Sequence, residues 1–247
     1  EDTANPAGDT VANLFAANFS DATDAVSGGS SANTLAGVLI TANASSSTQG
    51  TWQWNNAGTW TDIPTSGLSD SSALYLNAAT FIRFLPAADW NGTPGSLSIK
   101  VSDATVVFSS STDISAANAT TGQWSATNTL STSVTAVNDA PLISGLDATS
   151  PNATFAVPYI QGGTAVIIDP DATLIDRELS VERNNWNGAI LSITRSGGAS
   201  SHDVFANSGN LASIAAASGS ITLSGITLGT YTNSAGTLTI TFTSSNA

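Results

Sequence analysis

The chain has 247 residues, only 9% of them charged, and 18 acidic against 5 basic side chains give a net charge of −13. Such a surface repels phosphate backbones and anionic headgroups, which argues against nucleic-acid binding and membrane attraction. The absence of cysteine removes any disulfide framework, and a single histidine, His202, rules out multi-histidine zinc sites.

Hydrophobic residues make up 41% of the chain, enough for a core, so the polar surface must come from Ser, Thr, Asn and Gly. That combination is typical of extracellular β-proteins. No apolar run is long enough to span a bilayer, so no membrane insertion is expected. No signal peptide is visible, and the abrupt ends read as a fragment of something longer.

The apolar runs are short, rich in β-branched residues and punctuated by Gly, Asn, Asp, Ser and Pro, a pattern that predicts an all-β sandwich. Thr10–Phe19 is the exception, with apolar spacing that suits a short helix or turn. Thr34–Ala42 is the first predicted strand. Gly50–Asn55 and Thr59–Ile63 form a predicted hairpin across an Asn-Ala-Gly turn. Thr80–Leu85 and Ser96–Ser102 follow, and the alternating run Leu130–Val137 closes the first block.

Val137–Pro141 (VNDAP) ends that strand, because Pro lacks an N–H and restricts the residue before it. The boundary is therefore placed here, giving domains 1–139 and 140–247. The second block continues with strands at Thr164–Ile168, Ala189–Thr194, Ile221–Leu228 and Thr237–Thr243. In the last of these, Thr237, Thr239, Thr241 and Thr243 alternate with Leu238, Ile240 and Phe242, as in an amphipathic strand.

VNDAP at 137–141 resembles the linker between cadherin-like and immunoglobulin-like tandem repeats of giant bacterial surface adhesins, including the RTX type. Glu1-Asp2-Thr3, Phe19–Asp24 (FSDATD), Pro86–Thr93 (PAADWNGT) and Ser96–Asp103 (SLSIKVSD) resemble further pieces of such a repeat, in order. The stretch 104–129 departs from it and reads as an insertion. IDPDATLIDREL at 168–179 resembles the acidic turn of a second repeat, whose closing strands and linker do not follow. The second block therefore reads as incomplete. The resemblance implies two consecutive sandwich domains on a bacterial surface, with neighbouring repeats of the same polypeptide as partners.

Calcium is the expected cofactor. Ca²⁺ takes six to eight oxygens, and short Asp side chains in turns supply them close to the backbone. Two acidic turns stand out: Asp21 with Asp24, and Asp169, Asp171, Asp176 with Glu178. The resemblance adds Glu1, Asp103, Asn138 and Asp139, converging with the first turn near a domain end. An ion held there would stiffen the junction, and the expected function is a calcium-rigidified spacer or extender in an adhesin or biofilm matrix.

Two alternatives stand beside it. Trp52, Trp54 and Trp60 lie on probable partner strands; exposed they would form a stacking platform for glycan or a groove for peptide, and buried they are core. A block lacking its closing strand leaves an open edge, which would make the chain a filament subunit that self-assembles by strand donation. An enzyme is not expected. Ser201-His202-Asp203 are consecutive, whereas a catalytic triad is built by spatial convergence around an oxyanion hole.

Overall fold

The computed structural model describes residues 1–22, 27–28, 31–56, 58–103, 113–115, 124–145, 160–167 and 172–243. The chain divides into two compact units, Glu1–Val137 and Asn138–Ala247. The division falls inside VNDAP, just ahead of the Asp139/Ala140 boundary read from the sequence. The described residues are nearly all β, with fourteen strands in four antiparallel sheets and one short α-helix.

The first unit opens with a two-residue strand, β1 (Asp9–Thr10), and then α1 (Val11–Phe15). Thr10 caps this helix by accepting the Asn13 N–H on its hydroxyl, and a 3-10 turn at Ala16–Asn18 ends it, so the helical spacing of this segment was correctly read. There follow β2 (Gly37–Asn43), β3 (Gly50–Asn56), β4 (Thr59–Asp62), β5 (Leu74–Asn77), β6 (Phe81–Pro86), β7 (Leu97–Ser102) and β8 (Asn128–Leu130). One sheet has the order β1-β6-β3-β4 and the other β5-β2-β7-β8.

Strand alternation sends one set of side chains from each sheet inward. Trp52, Ile82 and Phe84 from the first sheet meet Val38, Ile40, Leu74, Leu76, Leu97 and Ile99 from the second in one buried cluster. Trp52 packs edge-to-face on Phe84 at 5.3 Å, and its Nε1 donates to the Gly95 carbonyl at 2.8 Å. The second sheet is also covered on its outer side, where Leu39 and Ala73 pack with Ile114 and Trp124. Those two residues come from the segment 104–129 read as an insertion, of which 104–112 and 116–123 lie outside the described residues.

The predicted hairpin forms between β3 and β4, with Asn56 opposite Thr59. Leu130–Val137 departs from expectation. Its first residue ends β8, but beyond it only Val134 makes a bridge, to Gly92. β5 was not anticipated, because Leu74–Asn77 is too short to stand out against its Ser-rich surroundings.

The second unit begins with the ribbon β9 (Leu142–Ser144) and β10 (Thr173–Ile175). A π-helical turn, Arg177–Glu182, follows. The main sheet contains β11 (Ile190–Thr194), β12 (Ser218–Leu223), β13 (Ile226–Ser234) and β14 (Thr237–Phe242), in the order β11-β14-β13-β12. The run Ile221–Leu228, read as one strand, is in fact a hairpin. Ser224 (φ 50°) and Gly225 (φ 83°) both take the left-handed conformation that tight hairpin turns require. No strand forms at 164–167, although Ala165, Val166 and Ile167 are apolar; Ile168, the last residue of the expected strand, lies outside the described residues.

One face of this sheet is buried. Ile221, Tyr231, Leu238 and Ile240 pack with Ile214 and are flanked by Phe205 and Leu211 from the loop between β11 and β12. The opposite face is a field of hydroxyls. Thr237 and Thr239 stand opposite Thr194 and Ser192 on one side, where Thr241 meets the exposed Ile190, and all three stand opposite Ser234, Thr232 and Thr230 on the other. Ser218 and Ser220 extend the rows onto β12. The amphipathic reading of this strand is thus met across four strands.

Candidate functional site

Each unit holds an acidic pair of its own. In the first, the Asp2 and Asp89 carboxylates come within 4.8 Å of each other. Two oxygens bound to one Ca²⁺ can lie no more than about 5 Å apart, given Ca–O distances near 2.4 Å, so this spacing suits a shared ion. Both residues have left-handed backbones, φ 62° for Asp2 and 54° for Asp89, a conformation that Asp tolerates better than most residues. Asp89 sits in the PAADWNGT turn between β6 and β7.

Glu1 lies beside the end of the same unit. It is buried, and its Oε1 accepts the Val137 N–H at 3.0 Å while its backbone nitrogen donates to the Thr135 carbonyl at 2.8 Å. These bonds tie the first residues to the last extended segment of the unit. Val137 is covalently followed by Asn138 and Asp139, so Glu1 is anchored at the residue that begins the linker.

In the second unit, the Asp139 N–H donates to Glu178 Oε1 at 2.8 Å, and the two carboxylates approach within 4.8 Å. Glu178 Oε2 is buried and accepts no hydrogen bond from a described residue. The π-helical turn positions Glu178. Asp176, buried at its start, accepts the Leu179 N–H at 2.9 Å and its own N–H donates to Ser180 Oγ at 3.1 Å. Asp176 thus serves as the cap that aims Glu178, with one carboxylate oxygen committed to the backbone.

The remaining sequence-derived candidates fall elsewhere. Asp21 Oδ2 accepts the Asn33 N–H at 2.8 Å and closes a loop. Asn138 Nδ2 donates to the Asp139 carbonyl at 2.9 Å, an exposed local bond. Asp103 follows β7 and is half-buried. Asp24, Asp169 and Asp171 lie outside the described residues. Sequence reasoning therefore named Glu1, Asp139 and Glu178 but missed Asp2 and Asp89. The available signal for Asp89 was its place before Trp-Asn-Gly, a turn in which Asp readily adopts positive φ.

The tryptophans do not form one surface. Trp52 and Trp54 oppose Phe84 and Ile82 on the inner face of the sheet. Trp60 opposes Asn55, one residue out of phase, and so lies on the outer face, where the Arg83 guanidinium stacks 4.0 Å from its ring centroid. Trp52 is only 3% exposed and has no free face for a ligand. Near His202, Asp203 is engaged by Arg195 at 3.2 Å, and His202 Nδ1 is 3.3 Å from Ser200 Oγ at an exposed turn. This geometry lacks the Ser–His–Asp order of a triad.

No described helix is long and apolar enough to cross a membrane. Comparison with protein-family models, curated proteins and solved structures returns no match.

Proposed function

We propose that the chain is a calcium-stiffened spacer segment of an extracellular bacterial adhesin or matrix protein. The observation that carries this reading is the anchoring of carboxylates at the linker. Glu1 holds the Val137 N–H, and two residues further along Asp139 holds Glu178 through its own N–H. Backbone donors fix these acidic side chains in place, so they cannot relax apart when like charges repel. A divalent cation relieves that repulsion, and carboxylates together with nearby carbonyls and water supply the hard oxygen ligands that Ca²⁺ prefers. A sandwich rich in Ser and Thr, with only 9% of its residues charged, suits a structural element outside the cell.

Thermal unfolding in millimolar Ca²⁺ and in EDTA tests this. A ligand present at 100 times its dissociation constant stabilises the native state by about 2.7 kcal/mol, which for a unit of this size is a midpoint shift on the order of 5–10 °C. Asp89→Asn and Glu178→Gln should each reduce the shift. Superimposable curves in the two buffers would leave the acids as mere solvated surface and remove the basis for the proposal.

A further inference from the structure

We propose that the second unit pairs edge to edge with a second copy of this chain through β11, about a two-fold axis at Ser192, so that the two sheets become one. In the order β11-β14-β13-β12, β11 is an edge strand. The Phe242 N–H donates to the Ala189 carbonyl at 3.0 Å, and in an antiparallel ladder bonded and unbonded pairs alternate from there. Leu191 and Ile193 therefore spend their main-chain groups on Ile240 and Leu238. Those of Ile190, Ser192 and Thr194 point away from β14, all toward the same open edge, and bond to no described residue.

The two edges of this sheet are treated differently. Proteins blunt an edge strand with charge, proline, a bulge or a covering loop. At the β12 edge a register shift falls between Ile221 and Thr222, and the preceding loop crosses the strand. Ala212 of that loop donates its N–H to the Thr222 carbonyl at 2.8 Å, and Leu211 bridges Leu223. β11 has none of these devices among the described residues. Its ladder runs without a shift, and Asn187–Thr194 contains neither proline nor a charged side chain.

The strand is complementary to itself, and this is what names the occupant. An antiparallel copy centred on Ser192 sets Ser192 against Ser192 and Ile190 against Thr194, so every open N–H meets an open carbonyl. On the apolar face Leu191 meets Ile193. Both are half-buried at the margin of the second core, so the pairing extends that core across the axis. On the hydroxyl face it covers Ile190, which is 66% exposed. Charge leaves this route open. A chain of net charge −13 repels its own copies over most of its surface, but β11 brings no like charges together. The nearest charged residue, Arg195, is paired with Asp203 at 3.2 Å. Five residues a side is small beside the roughly 20–30 of a standard interface, so the dissociation constant should be on the order of 100 µM.

The test follows the full chain from micromolar to millimolar concentration in EDTA, which removes any calcium bridge between carboxylates. Sedimentation should show the 24.8 kDa chain converting to a dimer and no further. Amide exchange at Ile190, Ser192 and Thr194 should slow at least tenfold over the same range, while Leu191 and Ile193, already bonded to β14, should not change. Ser192→Pro removes an N–H that β14 does not use, and should weaken the dimer at least tenfold while the β13–β14 ladder keeps its protection. Ser192→Lys leaves the backbone intact but sets two ammonium groups against each other on the axis. It should weaken the dimer at low salt and regain it in molar salt. The proposal is overturned by a chain that stays monomeric at millimolar concentration, or by assemblies that grow past the dimer. It is equally overturned by a dimer that protects other amides, or by one that both Ser192 variants form as readily as the parent.

Discussion

The two units share a composition and a strand style, yet they bury their apolar residues very differently. In the first, two sheets face each other across eleven buried residues, and a second cluster seals the outer side of one sheet. In the second, a four-stranded sheet is covered on its apolar face by a loop, around five buried residues among those described. Large exposed aliphatics follow the same division. Ile160 and Val204 are 78% and 83% exposed in the second unit, whereas the first shows no described aliphatic above 45%. The lesson is that apolar content does not make a core. A sheet buries its face fully only against another regular layer, since each strand then supplies a side chain every second residue.

The comparison yields its largest expected effect in the cores themselves. Trp52→Ala removes an indole packed on Phe84 and bonded to Gly95, deep in a two-sided core that cannot collapse around the loss. It should cost about 3–5 kcal/mol. Leu238→Ala in the second unit should cost less, about 2–3 kcal/mol, because the covering loop can settle into the space. Urea unfolding followed by amide resonances of each unit separates the two, and the second unit should unfold at the lower urea concentration. A second unit that outlasts the first would mean that the loop covers it as well as a sheet would.

Both units use a buried or half-buried asparagine to hold a loop, which sharpens the contrast. Asn43 donates to the Ile63 carbonyl at 2.8 Å and accepts from the Ser45 N–H and hydroxyl at 3.0 and 2.8 Å. Asn233 donates to the Phe205 and Ile214 carbonyls at 2.8 and 2.9 Å, which pins the loop over the second core. Asn43→Ala should cost about 2–3 kcal/mol, because it strands several buried partners. Asn233→Ala should cost about 1–2 kcal/mol globally. Its more telling consequence is local: amide exchange at 205–214 should accelerate at least tenfold while the β13–β14 ladder is unaffected. Uniform acceleration through the sheet would show that loop and sheet open together.

The strands were largely legible in the sequence where alternation and turn chemistry agree. Gly50–Asn56 and Thr59–Asp62 lie within a residue of their expected bounds, because the turn sets the register. Ile221–Leu228 was misread because its apolar periodicity continues through Ser224-Gly225, and only the turn dipeptide betrays the reversal. Leu130–Val137 alternates correctly, but beyond Leu130 it makes only the Val134–Gly92 bridge among the described residues, and pairing is a property of the neighbour that no local pattern encodes. The same limit applies to the acids. Glu178 was visible as a member of a local acidic turn, and Glu1 and Asp139 came only from the resemblance to adhesin repeats. The approach of Asp2 to Asp89 was hidden, since it depends on the fold bringing the first turn of the chain beside the turn between β6 and β7.

The smallest expected effect concerns the seal on the outer side of the first unit. Tyr75 packs against the Leu39–Trp124 cluster, and its hydroxyl donates to the Ala36 carbonyl at 3.1 Å. Burial raises its pKa above the ordinary value near 10, because the phenolate would lose hydration that the protein does not replace. A folded-state pKa above the unfolded one means that the native state holds the proton more tightly. The contribution is complete below pH 10 and is lost as pH rises through the folded pKa. Tyr75→Phe removes the hydrogen bond, at a cost of about 0.5–1 kcal/mol near neutrality, and removes the titration with it. The stability gap between parent and variant should therefore narrow between pH 9 and pH 11 and reverse in sign if ionisation inside the seal is costly enough. A gap that stays constant over that range would place the Tyr75 hydroxyl in water rather than beneath the seal, and the second layer would then be looser than the first.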